Sequence, residues 1–151
     1  MGAAYEISMS RSIKGDAAAG FAVMKDVERF PTFMPNVRSV RLLESSERCK
    51  VAEWEITLDG TPLSWIEEGV YDDDAHTIAF RAIEGLFDRF DGSWRIARGD
   101  DGCCISFSLV YEIGLPEIED LVAPILKVRM IENAECMLDS LEARISTSSA
   151  P

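Results

Sequence analysis

Apolar and polar positions alternate over residues 5–13, with Tyr5, Ile7, Met9, Arg11 and Ile13 on one side, and this period of two predicts a strand. At Asp16, a plausible N-cap, the period changes to helical spacing. In "DAAAGFAVMKDVERF" the residues Phe21, Met24, Val27 and Glu28 share one face. Pro31 is expected to end this helix, because a residue before proline avoids helical angles. Phe33 and Met34 then lie in a short turn-like element bounded by Pro35. Alternation returns over residues 37–44, 51–58, 63–71, 78–83, 86–97 and 103–113. The turns between these runs are marked by "DG" at Asp59-Gly60, "DDDAH" and "RGDDG". The last run has Ile105, Phe107, Leu109 and Tyr111 on one face and Cys104, Ser106 and Ser108 on the other, as in an antiparallel sheet with one wet side.

After Pro116 the period is again helical. Ile118, Leu121, Ile125, Val128, Ile131, Ala134, Leu138, Leu141 and Ile145 recur every three or four residues, which predicts a long helix from residue 117 or 124 to 145. One such helix against a strongly curved antiparallel sheet makes an α+β fold. The order is a strand, two short helices, six more strands and the long C-terminal helix. The expected organisation is a single domain over residues 1–146 with a flexible tail at 147–151. Gaps between sheet and helix leave room for a guest.

Charge and thiols narrow the functions available. A net charge of −12 over 151 residues repels phosphate backbones and anionic membrane surfaces, so nucleic-acid binding and membrane insertion are not expected. Cys49, Cys103, Cys104 and Cys136 match no zinc spacing, and His76 is the sole histidine, so no metal site or cofactor is expected. Thiols without a disulfide framework suggest a cytoplasmic setting. "MGAAYEISMSRSIKG" lacks the apolar block of a signal peptide, and Glu6 stands where an acylation motif at Gly2 needs Ser or Thr.

The segment "DVERFPTFMPNVRSVRLLE" resembles the turn and following strand of the polyketide cyclase/dehydrase and coenzyme Q-binding branch of the START/Bet v 1-like (SRPBCC) superfamily. The matching positions are Phe30, Pro31, Phe33 and Pro35. "SWIEEGVYD" resembles that family's central strand, and Trp94 in "GSWRI" matches an aromatic of its sixth strand. The resemblance implies a helix-grip fold, a seven-stranded sheet clasping the C-terminal helix around an apolar cavity. It also implies that Phe33 and Met34 stand at the cavity mouth. Aromatase/cyclases of this kind carry an arginine on the central strand and a tyrosine early in the second; the corresponding positions here are Gly69 and Val37.

Candidate chemistry rests on the central strand. Glu67 and Glu68 point to opposite faces and cannot act as a pair. One register places Trp65, Glu67, Gly69 and Tyr71 inward, where a glutamate on an apolar wall has a raised pKa and serves as acid or base. The other places Ile66 and Val70 inside. Glu67 is the candidate catalytic residue. The candidate ligand contacts are Phe33, Met34, Trp54, Trp65, Tyr71, Phe80, Phe90, Trp94, Ile125 and Met130. Arg89, between Asp88 and Asp91, reads as a surface ion pair. Two functions follow. The first is a cyclase, aromatase or dehydratase that folds a hydrophobic polyketide chain, with an acyl carrier protein as a further partner. The second is a non-catalytic carrier or sensor of an aromatic, quinone or lipid. An exposed sheet edge permits a homodimer.

Overall fold

The computed structural model describes residues 3–148, so residues 1–2 and residues 149–151 of the expected tail lie outside the described residues. Strand β1 (Ala4–Ile13) is followed by helix α1 (Ala17–Lys25) and a 3-10 helix (Val27–Thr32). Six strands come next: β2 (Val37–Ser45), β3 (Cys49–Leu58), β4 (Thr61–Asp72), β5 (Thr77–Glu84), β6 (Phe87–Arg98) and β7 (Cys103–Ile113). Helix α2 (Glu119–Ser148) closes the chain. The strands form one antiparallel sheet in the order β1-β7-β6-β5-β4-β3-β2. This is the helix-grip arrangement, with β7 returning to pair with β1 after the chain has gone round the sheet.

Local chemistry explains most boundaries. Asp16 caps α1, its Oδ2 accepting from the Ala19 N–H at 3.0 Å. Asp59 and Gly60 both adopt positive φ, 49° and 82°, as a two-residue hairpin turn requires. Pro31 does not stop α1. That helix ends at Lys25, and Pro31 sits inside the 3-10 helix, whose tighter winding turns the chain towards β2. Glu28, grouped with the buried face by spacing, is exposed there.

The long apolar stripe of α2 needs a larger correction. Met130, Ala134, Leu138, Leu141 and Ile145 are buried, but Ile118, Leu121, Ile125 and Val128 face outward. Glu119 and Ala123 are the buried residues of the helix's first turns, with Val122 and Leu126 partly buried beside them. The helix therefore has two apolar faces, and spacing alone merged them. Its N-terminal end is tied to β1, because the Tyr5 hydroxyl (2.7 Å) and the Ala3 N–H (3.1 Å) both donate to Glu119 Oε2. Those donors favour the charged form and hold the Glu119 carboxyl below the usual carboxylate range, while the same bond pushes the Tyr5 hydroxyl up to about 12.

A cavity under the central strands

Strand β4 uses the inward register. Trp65, Gly69 and Tyr71 are buried on the inner face, and Glu67 lies between them. Cross-strand pairing then fixes what surrounds each residue. Glu67 pairs with Ala52 on β3 and Ala82 on β5. Two methyl groups flank the carboxyl and leave it uncovered towards the interior. In the next row Gly69 pairs with Phe80, and Phe80 pairs with Gly92 on β6. One ring thus stands between two positions with no side chain. A Cβ at Gly92 would lie 2.9 Å from Phe80 Cζ, so the ring covers that glycine. A Cβ at Gly69 would lie 3.4 Å from Tyr71 Oη, so Tyr71 folds back into the room Gly69 leaves.

These gaps open a cavity between the sheet and α2. Its free volume is about 70 Å³, below the roughly 150 Å³ of an engineered apolar cavity that binds benzene. A guest of one or more rings therefore needs the walls to yield. Met24, Met130 and Met137 line it, and an unbranched thioether is the side chain that repacks most readily.

Aromatic rings run round the wall in contact. Phe30 meets Trp54 edge-on at 5.8 Å, and Trp54 stacks on Trp65 at 6.1 Å. Trp65 reaches Phe90 at 5.3 Å, Phe90 reaches Phe80 at 6.1 Å, and Phe80 stacks on Phe107 at 6.0 Å. Trp94 closes the run, 4.4 Å from Phe107. Such a surface suits flat, apolar, conjugated guests.

Polar groups are few. The Trp65 indole N–H donates to Glu67 Oε1 at 3.0 Å. Burial pushes the Glu67 carboxyl from 4.5 to about 7, because loss of water outweighs that hydrogen bond. Near neutral pH Glu67 is therefore available both with and without its proton. Burial, reinforced by the charge of Glu67, also raises the Tyr71 hydroxyl. Lys50 borders the cavity with its ammonium 5.3 Å from the Tyr71 ring centroid. It donates to the Lys25 carbonyl at 2.9 Å and lies 3.8 Å from Glu28. On α2, Asn133 borders the cavity and is held by the Asn36 side-chain amide, which donates to its Oδ1.

Of the residues singled out from sequence, Glu67, Trp54, Trp65, Tyr71, Phe80, Phe90, Trp94 and Met130 all line this cavity. Three do not. Ile125 points away from it on the outer face of α2. Met34 is buried beneath the 3-10 helix, and Phe33 packs edge-on against Phe30 at 5.8 Å under the Arg144 guanidinium. Phe30 borders the cavity and these two back it, because the 3-10 winding turns Phe30 inward. Lys50, Asn133 and Gly92 escaped the sequence reading, which places Gly69 inward in one register. An isolated glycine within a strand pattern was the available signal for Gly92. Arg89 pairs with Asp91 at 2.7 Å.

Comparison with known proteins follows the same geometry. TTHA0849 from Thermus thermophilus superposes with a TM-score of 0.90 at 26% identity, covering 97% of this chain and all of that one. The Zhui aromatase/cyclase from Streptomyces sp. R1128 shares the fold with a TM-score of 0.88 at 15% identity, over 95% and 94% of the two chains. Among curated proteins, the ribosome association toxin RatA of Vibrio cholerae is 27% identical over 120 residues, 76% of this chain and 79% of the relative. Residues 13–137 match the family described as polyketide cyclase / dehydrase and lipid transport, and this chain belongs to it.

Proposed function

We propose that the protein takes a hydrophobic, polyketide-like chain into the aromatic cavity and promotes its cyclisation or dehydration, with Glu67 moving the proton. The observation that carries this reading is one carboxyl buried in a chamber walled mainly by aromatic and aliphatic side chains, where loss of water lifts it to about 7. Abstraction of a proton next to a carbonyl, or loss of water from an aldol, needs a group that both takes and returns a proton near neutral pH. The wall of Trp54, Trp65, Phe80, Phe90, Trp94 and Met130 would hold the chain in one folded geometry, which favours one ring closure over others. Tyr71, whose hydroxyl has no hydrogen-bond partner among the described residues, would bind a substrate carbonyl oxygen with the Lys50 charge behind it. Arg38 and Arg41 are matched by Glu55 and Glu53, which leaves little basic surface there for an acidic acyl carrier protein. A chain that arrives free in solution fits this better than one delivered on a carrier.

A second reading is a carrier of an aromatic, quinone or lipid without chemistry. Gly69 favours it, since a glycine stands where the resembling cyclases place an arginine. Incubation with a reactive poly-β-ketone separates the two. The proposed activity shifts the product profile towards one cyclised species relative to the uncatalysed mixture. Quenching of tryptophan emission by an aromatic ligand, with the product profile unchanged, would leave only the carrier.

A further inference from the structure

The outward face of α2 is an apolar stripe that the chain's own fold does not cover. We propose that it is the contact surface of a homodimer in which the N-terminal halves of two α2 helices pack antiparallel about a two-fold axis. Ile118, Leu121, Ile125 and Val128 are spaced three, four and three residues apart, the a/d pattern of a helix that packs against another helix. Ala123 and Met130, buried in the chain's own core, occupy the opposite side of the same turns. This stretch is therefore built to serve two interfaces at once. A stripe needed for nothing would carry charged residues at four successive seam positions, as it does at Glu132, the next one along, where the pattern ends.

The stripe continues beyond the helix. The Leu115 carbonyl accepts from the Ile118 N–H at 3.1 Å, and the Leu86 carbonyl lies 2.9 Å from where a Cβ of Gly114 would stand. Leu86, Leu115, Ile118 and the three helix residues are between 39 and 74% exposed. Together they present on the order of 600 Å² per chain, so a pair would cover roughly 1,200 Å², which reaches the lower range of stable specific interfaces.

Charge selects the partner and its direction. Glu117 and Lys127 are exposed, lie on one flank of the stripe and make no ion pair among the described residues. An antiparallel pairing centred on Ala123 brings Lys127 within one helical turn of the partner's Glu117, twice by symmetry. A parallel pairing sets each charge beside its own copy. A membrane surface is the poorer occupant, because Glu117, Asp120 and a net charge of −12 oppose anionic headgroups.

Sedimentation velocity at micromolar concentrations tests the assignment. The expected result is a dimer for the wild type and a monomer with unchanged thermal melting for Leu121→Glu/Ile125→Glu, two positions too exposed for the core to depend on. Lys127→Glu should weaken the dimer about tenfold, and adding Glu117→Lys should restore it. A wild type that stays monomeric overturns the proposal. So does a dimer that survives the double glutamate variant. A monomer that floats with phosphatidylcholine vesicles through Leu121 and Ile125 would give the stripe to lipid instead.

Discussion

Gly92→Ala is expected to lower the melting temperature by roughly 10 °C or more, a large stability effect for a single added methyl group. The added Cβ would stand 1.9 Å from the Ser108 carbonyl oxygen and 2.9 Å from its carbon. Those atoms are backbone of β7, paired to β6 along its whole length, so they cannot turn aside as a side chain does. Relief requires the two strands to part at this point of the ladder, and that breaks hydrogen bonds as well as packing. Overpacking of a side chain against side chains costs about 1 to 3 kcal/mol, and a clash with fixed backbone lies at or above the upper end. The neighbouring Ser93→Ala is the control. Its hydroxyl lies 3.3 Å from that of Ser108 at a partly exposed site, and its loss should cost about 1 kcal/mol or less. Calorimetry of both variants decides the matter, and a Gly92→Ala protein that melts beside the Ser93→Ala control would refute the role given to this close backbone approach.

Glu67→Gln should lower turnover at least about tenfold and should also change how stability depends on pH. The sign follows from the raised pKa. Below the unfolded value, near 4.3, both folded and unfolded chains carry the proton and Glu67 is neutral with respect to folding. As pH rises through about 7 the folded chain must bury a charge that the unfolded chain hydrates freely, so stability is lost across that window. A shift from 4.5 to about 7 corresponds to a loss of up to about 3 kcal/mol, less to the extent that water in the cavity reaches the carboxylate. Glutamine keeps an acceptor for the Trp65 indole and carries no proton to lose. Denaturant unfolding at pH 5 and pH 8 should therefore show the variant gaining on the wild type at the higher pH. Equal pH slopes would mean that Glu67 is hydrated and ordinary, and full turnover would remove it from the chemistry.

The strands and turns were legible because each reports on its own neighbours. Alternation needs only a wet and a dry face, and Asp59-Gly60 needs only positive φ. The inward register of β4 was one of two readings of "SWIEEGVYD", since Ile66 and Val70 are as apolar as Trp65 and Tyr71. What chose between them is cross-strand fit, Trp65 against Trp54 and Gly69 against Phe80, which no single strand contains. Ile125 was misplaced for a related reason. A helix apolar on two faces gives one crowded pattern, and spacing does not say which face meets the sheet. Phe33 and Met34 failed through the 3-10 winding, whose tighter turn rotates Phe30 rather than its neighbours into the chamber. Gly92 matters through the backbone of the next strand, so its importance becomes visible only when β6 and β7 are paired side by side.

A chamber tighter than its prospective guest dictates the order in which binding must happen. Room has to appear before anything enters, so the share of molecules already ajar multiplies straight into the affinity. Uptake then has a ceiling set by how often the methionine floor swings aside, and supplying more guest beyond that point hastens nothing.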